Sequence, residues 1–250
     1  MRIFALAANR SNVAFMGFTT SLSFRCPSRQ SKALNPELKT AMTTKKTKPT
    51  DKQKEAIKAK QVKWAKESLA DPTTLIVDVE TTGLLVKDPK TEIVSISMID
   101  NQGRVAFSCL VNPQRPIPIE AQKIHGIDDL AVRDAPPFLV VAPLIAGIMS
   151  NKRIVCFNAQ FDVHLIVTLF QKYDIEVPDF EVECAMEAYA AYTGDWAVSK
   201  GDWKWQKLPK LAYGKAHDSL VDCESTRLLM KKMTGDFSDE PNTTEISLDF

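Results

Sequence analysis

Glycine and cysteine are both scarce, with 9 and 5 residues in a chain of 250. The first count excludes a collagen-like repeat and the second a disulfide-stapled scaffold. Cys26, Cys109, Cys156, Cys184 and Cys223 are odd in number, far apart and without a C-x-x-C pair, so they give no zinc spacing. Four of them lie in apolar or periodic segments, where a free thiol packs as a small hydrophobe, and this usage favours a reducing compartment. Long hydrophobic runs are missing too. The longest uncharged apolar stretch, Phe138–Met149, has 12 residues and an internal proline, against the ~20 that a spanning helix needs. No membrane partner is expected. With 44% hydrophobic and 25% charged residues, the chain is not wholly disordered and has the make-up of an ordinary globular protein.

The net charge of +1 conceals an asymmetry: residues 1–70 carry 15 Lys/Arg against 4 Asp/Glu, leaving 17 against 27 for the remainder. A basic arm ahead of an acidic body points to a polyanion partner for the arm. Residues 1–36 hold five basic residues, many Ser and Thr, and no acid. That composition fits either an organellar transit peptide or an upstream start ahead of a natural start at Met42. The expected compartment is cytoplasmic, with an organelle as the alternative. The expected organisation is a basic leader over 1–41, a Lys-rich leader and helix over 42–70, a folded body over 71–234, and a disordered acidic tail over 235–250 with five acids and no base.

Strong helix formers over Asp51–Leu69 place Ile57, Trp64 and Leu69 on one loose stripe, and Asp71-Pro72 ends the segment. The body opens with the β-rich run TTLIVDVE, followed by strands Glu92–Asp100 and Arg104–Val111 around the turn Asn101-Gln-Gly103. These three are expected to form an antiparallel meander. Helices are expected over Ile119–Ile124, Pro137–Met149, Ala159–Tyr173, Glu183–Tyr192 and about Asp218–Met233, with a short buried strand at Arg153–Phe157. Thr193–Lys210 reads as a polar, aromatic loop. Its Trp196, Trp203 and Trp205 among lysines suit either a single-strand binding surface or tryptophans packed on the body.

Three carboxylate positions stand out. In the first strand Asp78 and Glu80 share a face, roughly 6–7 Å apart. Their neighbours Leu75, Ile76, Val77 and Val79 bury the strand on both sides. Two ionised carboxylates there repel each other and lose hydration unless a cation compensates. The alternative ends the strand at Val77 and puts both acids in a loop. In the next helix the core stripe Phe161, Asp162, Leu165, Ile166, Leu169, Phe170 contains one charge. An acid in the first turn after an Asn158 N-cap suits the helix dipole, yet that does not account for its place on the apolar face. In His217-Asp-Ser-Leu-Val-Asp222, Ser219 and Asp222 fit a capping box, while Asp222 shares a stripe with Thr226, Leu229 and Met233 and so turns inward. Four converging carboxylates are tolerable around two divalent ions, typically ~3.5–4 Å apart, that clamp an in-line displacement at phosphorus. Oxygen ligands favour Mg²⁺, with Mn²⁺ as substitute, over zinc.

Asp78-Val-Glu-Thr-Thr-Gly83, Asn158-Ala-Gln-Phe-Asp162 and His217-Asp-Ser-Leu-Val-Asp222 resemble, in order and gap, the three motifs of the DnaQ-like DEDDh 3′–5′ exonuclease family. Pro116–Ala121 and Ile124–Ile127 resemble the segment that the family carries between its first two motifs, and the likeness covers about residues 73–233. It resembles free-standing bacterial 3′–5′ exonucleases, including over Glu183-Cys-Ala-Met186 and Trp205-Gln-Lys-Leu208, and also the proofreading subunit of DNA polymerase III. The resemblance implies an α/β, RNase H-like fold, a mixed five-stranded sheet flanked by helices. It further implies that Asp78, Glu80, Asp162 and Asp222 hold two Mg²⁺ and that His217 is the general base. The turn Thr81, Thr82, Gly83, Leu84 would hold the 3′-terminal nucleotide, with Asn158 and Phe161 beside it. Ser219 stands where relatives usually have Ala. His125 is read as structural and His164 as a surface residue.

The expected function is hydrolysis of nucleic acid, DNA favoured, from single-stranded 3′ ends to nucleoside monophosphates. An exoribonuclease acting on RNA or short oligoribonucleotides is the alternative, and a non-catalytic nucleic-acid-binding module comes third. The last is disfavoured because a carboxylate cluster weakens binding to a polyanion. No polymerase domain is expected in this chain, and a homodimer is left open.

Overall fold

The computed structural model describes residues 47–237. The basic leader over 1–41, Cys26 and residues 238–250 of the acidic tail lie outside them. Among the described residues no helix is long and apolar enough to cross a membrane.

Thr50 starts α1 (Asp51–Ala70) with a capping box: its Oγ1 accepts the Gln53 N–H at 3.3 Å and its own N–H donates to Gln53 Oε1 at 2.8 Å. Asp71 ends the helix, its carboxylate accepting the Thr73 N–H at 2.8 Å. β1 (Thr74–Thr81), β2 (Ile93–Asp100) and β3 (Val105–Leu110) form the antiparallel meander. After α2 (Ile119–His125) and α3 (Phe138–Met149) come β4 (Arg153–Cys156), α4 (Ala159–Lys172) and β5 (Glu181–Cys184). α5 (Ala185–Thr193), a two-residue-strand hairpin β6 (Trp196–Ala197) and β7 (Asp202–Trp203), and α6 (Ser219–Thr234) complete the fold. The main sheet has the order β3-β2-β1-β4-β5, with β4 and β5 parallel to β1.

Two boundaries differ from those expected. Glu183 and Cys184 belong to strand β5, and the helix begins only at Ala185. β5 is an edge strand whose Glu181-Val-Glu-Cys184 sequence is half polar, so its composition carries little strand signal. The aromatic loop over 193–210 contains the β6–β7 hairpin, turned at Gly201 with φ +62.

Alternation along β1 sorts the core into two halves. Leu75, Val77 and Val79 pack with Ile96 and Met98 of β2 against α3 and α4. Ile76 and Ile99 face the other way, toward α1, α5 and α6. α1 buries Ala65 and Ser68 there, and the Trp64 indole N–H donates to the Glu183 carboxylate. Lys58 Nζ lies 5.0 Å over the ring of Tyr192 near the end of α5, so α1 and α5 run antiparallel. On the first face Phe170 is fully buried, its ring centroid 5.8 Å from that of Phe138. Phe170→Ala should cost about 3–5 kcal/mol, read as a lower urea midpoint with an unchanged m-value. A midpoint equal to wild type would mean that this face is not the core.

Candidate active site

β4 is short. It pairs with β1 only along Thr74–Ile76 and ends at Cys156, so the second half of β1 extends past its neighbour. That leaves ladder positions open, and α4 fills one of them. The chain turns at Phe157-Asn158 into α4, and the first-turn Asp162 comes back over the end of β4, where its Oδ1 accepts the Val79 N–H at 3.3 Å. Asn158 occupies the N-cap position, but its side chain makes no capping hydrogen bond. Its carbonyl instead accepts the Phe161 and Asp162 N–H groups at 2.8 and 3.2 Å. Asp162 is 3% exposed on a helix face otherwise filled by core residues.

Asp78 and Glu80 lie within β1, not in a loop after Val77, and they point to the α6 side, opposite Ser97 and Ser95 of β2. α6 sits on those serines: Ser219 Oγ is 2.8 Å from both Ser95 Oγ and Ser97 Oγ, and Ser97 Oγ is 3.0 Å from Ser108 Oγ. With its hydroxyl held by β2, Ser219 does not cap the helix, and the expected Ser219–Asp222 capping box is absent. Asp218 is the N-cap, accepting the Leu220 and Val221 N–H groups at 3.0 and 3.4 Å. Gly214, at φ +140, lies so close to this first turn that a Cβ would come 2.5 Å from Val221 Cγ2. Any larger residue would push away the loop that leads to His217. His217 itself adopts φ +60, and its N–H donates to Asp222 Oδ2 at 3.2 Å. Glu80, His217 and Asp222 thereby offer ligand atoms that all lie within 4.8 Å of one another.

Burial is the main force on these acids, raising the carboxyl of each above its ordinary range. Asp78 is pushed well up, next by the charges of Asp162, Glu80 and Asp222. Glu80 rises to about 8, with Asp222 and Asp162 adding to its burial and Lys215 acting against them. Asp162 rises although the Val79 amide holds it down, and Asp222 rises although the neighbouring His217 opposes this. A cluster of oxygen donors that resists ionisation alone, beside one imidazole, fits a hard divalent cation.

The remaining expected site residues divide. Thr81 and Thr82 are buried and shape the turn after β1: Thr81 Oγ1 donates to the Gly83 carbonyl at 2.7 Å, and Thr82 Oγ1 accepts the Glu92 N–H at 3.0 Å. Glu92 in turn pairs with Lys172, tying the turn to α4. Leu84 is 46% exposed and Phe161 half-buried, so both keep apolar surface for a ligand. His125 is buried, its Nδ1 accepting the Ile127 N–H at 3.0 Å, while His164 is exposed. Lys215, beside Glu80 and two residues before His217, carries no sequence signal that would single it out; its Nζ donates to the His125 carbonyl at 3.2 Å.

Residues 75–230 match the RNase_T family, described as Exonuclease, and the chain belongs to that family. The Uncharacterized exonuclease CP81 of Escherichia phage 186 is 37% identical over 175 residues, covering 65% of this chain and 88% of that protein. DNA polymerase III subunit epsilon of Rickettsia typhi is 35% identical over 98 residues, 37% of this chain and 42% of that subunit. Among solved structures, E. coli Exonuclease I in complex with a dA16 oligonucleotide superposes with a TM-score of 0.53 at 17% identity, covering 66% of this chain and 42% of that one. This likeness carries the fold, which is RNase H-like. The chain spans less than half the length of the epsilon subunit and of Exonuclease I.

The carboxyl shifts set the pH dependence of stability. Glu80 moves from an ordinary value of 4.5 to about 8 in the fold. Between those values the folded chain holds a proton that the unfolded chain has lost, so metal-free stability falls as pH rises through that window. In chelator, the melting temperature should drop between about pH 5 and about pH 8, and Glu80→Gln should flatten the drop. A melting temperature that rises over this range, or one whose slope is the same in the variant, would refute the shift.

Proposed function

We propose that this protein is a metal-dependent 3′–5′ exonuclease that hydrolyses single-stranded nucleic acid, DNA favoured, to nucleoside monophosphates. The observation that carries this reading is the meeting of Glu80, His217 and Asp222 within 4.8 Å, with Asp78 on the same strand face as Glu80 and Asp162 bonded to the Val79 N–H between them. Family membership supports the exonuclease class. The oligonucleotide bound by Exonuclease I makes single-stranded DNA a natural substrate to test first. The catalytic unit is residues 71–234, with α1 packed along its flank.

Asp78, Glu80, Asp162 and Asp222 would hold two Mg²⁺, for which Mn²⁺ would substitute. When bound, such ions lower the pKa of water and stabilise negative charge that develops on phosphoryl oxygens. His217, as neutral imidazole, takes the proton from the attacking water. The water oxygen bonds to phosphorus, the bond from phosphorus to the 3′ oxygen of the preceding nucleotide breaks, that oxygen takes a proton from solvent, and a nucleoside 5′-monophosphate leaves. Asp222, whose carboxylate lies within 4.8 Å of a ring nitrogen of His217, stabilises the imidazolium. The Thr81–Leu84 turn, Asn158 and Phe161 cradle the terminal nucleotide, with Leu84 and Phe161 against the base.

Incubation with 5′-labelled single-stranded DNA and RNA in Mg²⁺ tests this reading. A descending ladder is expected, faster on DNA; a faster ladder on RNA would make the enzyme an exoribonuclease. Asp78→Ala and Asp162→Ala should abolish turnover with the fold intact. His217→Ala should lose about 10²–10⁴-fold while still binding metal and single strands. Internal cuts, or no cutting with either ion, would exclude exonuclease action.

A further inference from the structure

Between α5 and His217 the chain carries five lysines against two aspartates, amid aromatic residues that the fold uses in two different ways. Trp196 and Trp203 pack edge to face across the hairpin, centroids 5.1 Å apart, and both are half-buried. Trp205 and Tyr213 make no such ring pair among the described residues: they are 60% and 96% exposed, and Lys200 Nζ lies 5.7 Å from the centroid of the Trp205 ring. The backbone between them is anchored from below. Leu208 and Leu211 pack onto the α1–α5–α6 core, and buried Ala212 donates its N–H to Ser225 Oγ at 3.3 Å. Lys204, Lys207 and Lys210 are exposed alongside the two rings. Lys210, Ala212, Tyr213 and Gly214 line an open cleft of about 420 Å³ beside the Tyr213 ring. From this ridge the chain runs on through Lys215, whose charge acts on Glu80, to His217, which meets Glu80 and Asp222 in the cluster.

We infer that residues 204–213 form a binding track for single-stranded nucleic acid outside the catalytic cluster. Trp205 and Tyr213 stack on bases, and Lys204, Lys207 and Lys210 neutralise phosphates. Aromatic faces interleaved with lysine suit a single strand, whose bases are free to stack, better than a duplex, whose bases are not. The track also offsets an electrostatic difficulty. A cluster of carboxylates repels the backbone it must cut, and cations placed next to it restore attraction. The proposal depends on the exonuclease reading only for direction: the strand's 3′ end lies at His217 and the upstream nucleotides lie along the ridge.

The test uses the full chain, a fluorescently labelled dT16 and the dinucleotide dT2. Binding of dT16 is read by anisotropy in chelator, where no hydrolysis occurs, and turnover of dT2 is read in Mg²⁺. The double variant Trp205→Ala/Tyr213→Ala should raise the Kd for dT16 by about tenfold or more and leave dT2 turnover unchanged. Lys207→Gln/Lys210→Gln should lower the salt slope of dT16 binding by about 1.4, two single-strand phosphate contacts. The track is overturned if both variants bind dT16 as the wild type does, or if the wild type shows no binding at about 100 µM. It is also overturned if dT16 affinity and dT2 turnover fall together with a lower melting temperature, which would make the rings structural. A wild type that binds dT16 with these signatures but cleaves neither substrate keeps the track and removes the exonuclease reading. Cleavage with unchanged affinities does the reverse.

Discussion

Crowding carboxylates out of water, where lost hydration costs most and mutual repulsion adds to it, is the constraint on which the rest of this structure turns. Asp78, Glu80, Asp162 and Asp222 come from β1, α4 and α6, and burial raises all four above their ordinary range. A fold under selection for stability alone would replace them with apolar residues, since removing buried charge is often neutral or stabilising. In the proposed function, cations that join them give their convergence its rationale. The early end of β4 makes the convergence geometrically feasible, because it leaves the Val79 N–H free for Asp162.

The scaffold opposes that repulsion from both faces of the sheet. On one side α4 is anchored by an apolar stripe from Val163 to Phe170, so Asp162 is held by the helix that carries it. On the other, α6 is seated on β2 through the Ser95, Ser97 and Ser219 hydroxyls, all buried. Two hydroxyl contacts on Ser219 fix the first turn that carries Asp222, and Asp218 closes its end. His217 therefore emerges from a defined point, and its left-handed backbone is sustained by the bond to Asp222. A left-handed histidine costs backbone energy that surrounding contacts must offset, and such residues concentrate at functional sites.

How far these features were legible in sequence depends on how local their causes are. The Asp78/Glu80 face follows from alternation within one apolar strand, and Asp162 stands out because α4 has a clear helical stripe. Both are period arguments needing no knowledge of partners. The role of Ser219 is not local: its partners are 122 and 124 residues away, whereas spacing within the segment favours a capping box. β5 carries little strand signal because an edge strand with alternating Glu lacks the hydrophobic run of its central neighbours. The fate of the tryptophans could not be decided from composition: Trp196 and Trp203 found each other across a hairpin, and Trp205 did not join them.

Calorimetric titration with Mn²⁺ decides whether divalent cations compensate the charge of this carboxylate cluster. Run near neutral pH in buffers of different ionisation enthalpy, it reports both stoichiometry and protons released. Two ions per chain with net proton release are predicted, because carboxyls that keep protons in the metal-free fold must shed them to become ligands. Absence of binding, or binding with no proton exchange, would contradict the account.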